Sequence, residues 1–244
     1  MTIEMRGISK SYGAVEALKD VDFTATRGEV MAIFGDNGAG KSTLIKILSG
    51  SIEPTAGTIT IDGVARNFSS PIAAREAGIG TLYQDLAVFD QLDVTMNFFI
   101  GREKTKFGGF MAFGKMQRRT LELVRKFSVR NIDIHAPLED LSGGQRQIVA
   151  ITRATGFGSD YIILDEPTSA LSPSAALEVL DVVRQLADSG IGVIIITHNV
   201  AQGLAVADKA TVLRLGAVAG VIDAKSTSTE EVVSLIVGTN QLAE

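Results

Sequence analysis

The chain has 244 residues, no cysteine and a formal net charge of −5. That length allows one large domain, or a domain with a smaller lobe, burying roughly 70–75% of its unfolded surface. The lack of cysteine excludes a disulfide framework, a thiolate zinc site and a cysteine nucleophile, and the acidic balance disfavours nucleic acid as the main partner.

The longest apolar run, Ile191 to Thr197, is strand-sized, far short of the roughly 18–20 residues that span a bilayer. The expectation is a soluble, cytosolic chain. Val21, Phe23 and Ala25 alternate with polar neighbours, which predicts a half-buried strand. Arg27-Gly28-Glu29 is a turn, and Val30 to Phe34 suits a buried parallel strand. Glycines follow, then Lys41 to Ser49 at helical spacing. Thr58 to Asp62 and Ile79 to Tyr83 read as further strands. Residues 85–140 look mainly helical, broken at Phe107-Gly108-Gly109-Phe110, and read as an inserted helical lobe. A helix is expected from Gly143 to about Thr155. Strands at Tyr161 to Asp165 and Ile191 to Thr197 then alternate with helices at Ser174 to Asp188 and Val200 to Ala207. That alternation implies a parallel sheet covered on both faces. Two short strands and a helix near Glu230 to Ile236 complete the expected order.

Gly35-Asp36-Asn37-Gly38-Ala39-Gly40-Lys41-Ser42 fits the phosphate-binding pattern G-x-x-x-x-G-K-[ST]. Glycines let backbone N–H groups wrap a phosphate chain, and the following helix points its positive end at the anion. Lys41 is placed to reach the β- and γ-phosphates and Ser42 to bind Mg²⁺. The apolar strand Tyr161 to Leu164 ends in Asp165 and Glu166. A carboxylate there can hold Mg²⁺ directly or through water, and Glu166 is the natural general base for an attacking water. A second candidate phosphate grip, Leu141-Ser142-Gly143-Gly144-Gln145, precedes this strand; it reads equally as a serine N-cap opening a helix.

The phosphate loop, LSGGQ and the Asp165-Glu166 strand occur in that order, with Gln84 and His198 each following a strand. Over essentially the whole chain this set resembles the ATP-binding subunits of ABC transporters. A finer resemblance is to the branch serving bacterial simple-sugar importers. It rests on Gly35-Asp36-Asn37-Gly38-Ala39-Gly40, Leu82-Tyr83-Gln84-Asp85-Leu86, Phe99-Ile100-Gly101-Arg102-Glu103, Thr197-His198-Asn199, Val206-Ala207-Asp208 and Arg214-Leu215-Gly216.

The resemblance implies a P-loop α/β fold: a mostly parallel sheet, an N-terminal antiparallel β portion and an inserted helical subdomain. It divides the chain into a catalytic lobe (about 1–84 and 157–244) and a helical lobe (about 85–156). It implies adenine stacking on Tyr12, ATP contacts from Gly35, Asn37, Gly38, Ala39, Gly40, Lys41, Ser42 and Thr43, and Mg²⁺ held with Ser42, Gln84 and Asp165. Gln84 also touches the lytic water, and His198 contacts the γ-phosphate. Ser142, Gly143, Gly144 and Gln145 grip ATP bound to a second subunit, so two copies pair head to tail. Separate permease subunits and an extracytoplasmic sugar-binding protein are the implied partners, with this chain on the inner face of the membrane. One position departs: Ser172 stands where the family usually has an aspartate that helps the two subunits communicate.

Phe107, Phe110 and Phe113 read either as a surface meeting the membrane subunit or as a small local core. Two rivals stand beside the importer reading. One is an ABC ATPase acting on DNA or ribosomes, against which the short gap between Gln84 and LSGGQ counts, since it lacks sustained heptads. The other is a non-hydrolysing regulatory subunit, motivated by Ser172.

Overall fold

The computed structural model describes residues 1–127 and 132–239. In chain order the elements are β1 (Thr2–Tyr12), β2 (Val15–Thr26), β3 (Val30–Phe34), α1 (Lys41–Leu48), β4 (Ala56–Ile61), β5 (Val64–Arg66), α2 (Pro71–Glu76), β6 (Ile79–Leu82), α3 (Val94–Phe99), α4 (Phe113–Lys126), α5 (Gly143–Thr155), β7 (Tyr161–Asp165), α6 (Pro173–Asp188), β8 (Gly192–Ile196), α7 (Val200–Val206), β9 (Lys209–Arg214), β10 (Ala217–Asp223) and α8 (Thr229–Val237).

Two sheets form. One is four-stranded, in the order β2-β1-β4-β5, with antiparallel pairing throughout. The other has the order β10-β9-β3-β8-β7-β6, parallel from β9 to β6 with β10 antiparallel at its edge.

The period-2 geometry of a strand explains why β3, β7 and β8 read as unbroken apolar runs. Val30, Ala32 and Phe34 enter the same core as Ile162, Leu164, Val193 and Ile195, beneath α6, α7 and α8. The alternate residues Met31, Ile33, Tyr161, Ile163, Ile194 and Ile196 enter a second core, shared with α1 and with β1, β2 and β4. Both faces are therefore dry, and burying each such Val, Leu, Ile or Phe contributes about 1.5–3 kcal/mol.

A third core gathers Val94, Phe98 and Phe99 with Met116, Leu123, Val124, Leu138, Leu141 and Val149. Here the sequence expectation needs adjusting. Residues 85–93 form an irregular loop, not helix. Asn97, fully buried, organises that loop: its side-chain oxygen accepts from Phe89 N, and its amide donates to the carbonyls of Phe89, Leu92 and Asp93. One side chain thus satisfies backbone groups that helix formation would otherwise pair.

Candidate active site

In parallel sheets, ligands bind beyond the carboxyl ends of the strands. Every segment that the sequence marks for catalysis leaves such an end. Gly35 follows β3, Gln84 lies two residues beyond β6, Asp165 closes β7, and His198 lies two residues beyond β8. Register makes them neighbours: β7 pairs with both β6 and β8, with Leu82 opposite Leu164 and Asp165 opposite Ile196.

The loop after β3 depends on glycine. Gly35, Gly38 and Gly40 have φ of 151°, 79° and 105°, conformations that L side chains rarely adopt. A Cβ on Gly35 would collide with the Leu213 carbonyl, and one on Gly40 would lie 2.7 Å from Leu18. Asp36, Asn37, Gly38 and Ser42 are exposed, whereas Ala39 is buried beneath the loop. Lys41 Nζ donates to the carbonyls of Gly35 (2.7 Å) and Asp36 (3.0 Å), so the ammonium sits inside the curl of the loop. Burial lowers the Lys41 pKa against the pull of Glu166, Asp36 and Asp165. Ser42 and Thr43 occupy the first turn of α1.

Asp165 and Glu166 are unlike neighbours. Burial, then the charge of Glu166, raises the Asp165 pKa, while Lys41 and Lys46 oppose the rise. Glu166 adopts φ 52°, left-handed for a non-glycine residue, a strain of order 1–3 kcal/mol that surrounding contacts must hold. Its N–H donates to Ile196 O, and its carbonyl accepts from Ser169 N and Ser169 Oγ. Its Oε2 is buried without a well-aligned hydrogen bond, 2.9 Å from Nδ1 of the largely exposed His198.

The oxygen set fits Mg²⁺. Among the described residues no group of three His, Cys, Asp or Glu side chains could hold a metal by itself. Mg²⁺ takes one or two carboxylates and completes its shell with substrate phosphates and water. Asp165, whose charge partial burial disfavours, and Ser42 are donors of that kind. Gln84 is exposed in the loop beyond β6, and Tyr12 closes β1 with its ring half exposed.

The LSGGQ segment opens α5 through a capping box. Ser142 Oγ accepts from Gln145 N, and Ser142 N donates to Gln145 Oε1. Ser142 therefore caps the helix and is exposed at a positive helix end. Gly144 is required sterically, because a Cβ there would lie 2.9 Å from Ala175 Cβ on α6. A Cβ on Gly143 would lie 3.2 Å from Leu171 Cδ2, on the neighbour of Ser172. Ser172 caps α6, its Oγ accepting from Ala175 N at 3.4 Å. Serine and aspartate are nearly equivalent N-caps, so the departure at Ser172 keeps the local fold and removes only a charge.

Phe107 and Phe110 are among the most exposed large apolar side chains described, and Phe113 is also exposed, which favours the surface reading of this segment. Sequence reasoning missed Arg153, whose guanidinium donates to the carbonyls of Leu86 and Ala87 just beyond Gln84. In the sequence it stands only as a cation in the otherwise uncharged run Gln147 to Thr155.

A glycine-rich phosphate loop, an acid pair at the end of the adjoining strand and a central parallel sheet define a P-loop ATPase. The ABC transporter family profile matches residues 18–169, and the chain belongs to that family, as one of its ATP-hydrolysing subunits. It is 44% identical over 234 residues to the xylose/arabinose import ATP-binding protein XylG of Sulfolobus acidocaldarius, covering 96% of this chain and 93% of that protein. It is 40% identical to a ribose import ATP-binding protein of Burkholderia ambifaria over 97% of this chain, but spans only 46% of that longer relative. Among solved structures it is similar to cbiO1 of Clostridium perfringens, part of the ABC transporter complex cbiONQ, with TM-score 0.81 and 26% identity over 98% of this chain and 94% of that one.

Proposed function

We propose that this chain powers import of a simple sugar by binding and hydrolysing ATP with Mg²⁺, as one of two subunits paired head to tail beneath separate permease subunits. The observation that carries the catalytic part is the convergence of Lys41, Asp165, Glu166 and His198 at the carboxyl ends of β3, β7 and β8. The sugar part rests on the similarity to xylose/arabinose and ribose import proteins.

In this reading Tyr12 stacks the adenine, a contact worth about 1–3 kcal/mol. The N–H groups of Gly35 to Thr43 surround the phosphates, and Lys41 exchanges its two loop carbonyls for phosphate oxygens. Asp165, Ser42 and Gln84 would hold Mg²⁺, which would supply neutralisation of charge on the substrate phosphates. Glu166 takes a proton from the attacking water, a role typically worth about 10²–10⁴-fold in rate. His198 steadies the Glu166 carboxylate and faces the γ-phosphate. The exposed N-terminus of α5, with Ser142 to Gln145, closes on the nucleotide of the partner copy. This explains two phosphate grips in one chain.

Residues 1–84 with 157–244 act as the catalytic lobe and 85–156 as the helical lobe. The exposed Phe107, Phe110 and Phe113 of the latter meet the permease, and an extracytoplasmic binding protein selects the sugar. Among the described residues no helix is long and apolar enough to cross a membrane.

The test is uptake across a panel of labelled sugars in cells lacking this gene, complemented by wild type or by Phe107→Ser/Phe110→Ser. Loss of one sugar's uptake, restored only by wild type, is expected. Undiminished uptake of every sugar counts against the importer reading, and full rescue by the double variant counts against the aromatic contact.

A further inference from the structure

Gln84 sits in a loop anchored on both sides, and the two anchors lead to the two phosphate grips. On the near side, Tyr83 Oη lies 2.8 Å from Ser49 Oγ and 2.8 Å from Ser51 Oγ, and these serine hydroxyls are 3.0 Å apart. Ser49, buried, is the C-cap of α1, the helix whose first turn carries Lys41 and Ser42. On the far side, Arg153 of α5 holds the carbonyls of Leu86 (2.9 Å) and Ala87 (3.0 Å), and α5 begins in LSGGQ. Only Gln84 and Asp85 lie between the anchors. The bend is fixed further by Ala87 at φ 48° and its N–H bond to Asp85 Oδ1.

We propose that Tyr83 is a positioning residue for Gln84: its hydroxyl ties the loop to the phosphate-loop helix, so Gln84 moves with Lys41 and Ser42. This rests on the proposed role of Gln84 at the metal and lytic water. Serine–tyrosine hydroxyl contacts alone would only add stability. Their placement is what matters, because α1 is a short rigid strut with the phosphate loop at one end and the Tyr83 contact at the other. A phenylalanine at 83 keeps the ring and removes only the tether.

The experiment is a double-mutant cycle of Tyr83→Phe and Gln84→Ala in the full chain, with ATP turnover and amide hydrogen exchange of the nucleotide-free protein as readouts. Tyr83→Phe is expected to lower kcat about threefold to tenfold, the reach of one or two lost hydrogen bonds, with little change in KM for ATP. Exchange across residues 84–87 should rise at the same time. In the Gln84→Ala background the same substitution should change kcat by less than about twofold, because coupled residues are non-additive. Ser51→Ala, at an exposed serine, should move exchange and kcat in the same direction and serves if Tyr83→Phe folds poorly. Full additivity of the two substitutions, or unchanged exchange in both Tyr83→Phe and Ser51→Ala, overturns the inference alone. A Gln84→Ala chain with wild-type turnover overturns the role given to Gln84, and the inference with it.

Discussion

Glu166 Oε2 and His198 Nδ1 lie 2.9 Å apart at the ends of adjacent parallel strands, one carboxylate oxygen buried and the other residue's ring open to solvent. The pair is asymmetric: the acid's backbone is held by Ile196 and Ser169, and the imidazole is largely exposed. Glu166→Gln preserves shape and removes the proton acceptor. Turnover should fall by about 10²–10⁴-fold, while an ATP-bound dimer accumulates on size-exclusion chromatography. A variant that stays monomeric with ATP, or that retains turnover, contradicts the assignment of the base. His198→Ala should lose turnover without losing the ability to bind ATP.

Asp165 carries a carboxylate whose charge the fold disfavours. Its folded pKa is raised by burial and by Glu166, so the native state binds more protons than the unfolded chain between the ordinary aspartate range and the raised value. Stability therefore falls as pH rises through that window, and the penalty is fully present above it. Asp165→Asn should raise the nucleotide-free melting midpoint at neutral pH, with the gain vanishing on acidification below the ordinary aspartate pKa. The same variant should lose Mg²⁺-dependent turnover. An unchanged or lower midpoint at neutral pH would show that the carboxylate is well compensated in the native state.

Gly144 is set by packing as well as by its place in LSGGQ. Gly144→Ala places a Cβ 2.9 Å from Ala175 Cβ, an overpacking cost of about 1–3 kcal/mol by urea unfolding. Ala175→Gly in the same chain should recover most of that stability. If ATP-driven dimerisation returns with stability, glycine is needed at 144 for the α5–α6 contact. If dimerisation stays lost, the segment's own backbone is what the partner nucleotide requires.

Ser172 separates a cap from a charge. Ser172→Ala removes the α6 cap and should cost about 1 kcal/mol, whereas Ser172→Asp keeps it. Under the dimer reading, Ser172→Asp should leave the isolated subunit's stability nearly unchanged and steepen the dependence of turnover on ATP concentration. Identical ATP dependence in the wild type and the Asp variant would show that the missing charge has no part in communication between the two sites.

The candidate catalytic elements were legible because each combines a local pattern with a chemical necessity. Gly35 to Ser42 can be read from spacing, since left-handed glycines and a terminal Lys-Ser are needed wherever a backbone wraps phosphate. The runs Val30 to Phe34, Tyr161 to Leu164 and Val193 to Ile196 can be read because strands buried on both faces leave no polar alternation. Asn97, Tyr83 and Arg153 carry no such signature. Asn97 looks like any polar residue in a helical stretch until the fold buries it and turns its amide onto four backbone groups.

The sequence by itself determined the family, the order of strands and helices, and which residue types gather near phosphate, because these follow from local periodicity and short motifs. Only the tertiary structure decided that Glu166 meets His198 across strands β7 and β8, that Gly144 is pinned by Ala175, and that the Gln84 loop is tied to α1 by Tyr83 and to α5 by Arg153. Those contacts join residues 31 to 67 positions apart. No local pattern encodes them; strand register and helix packing create them when the chain closes its cores.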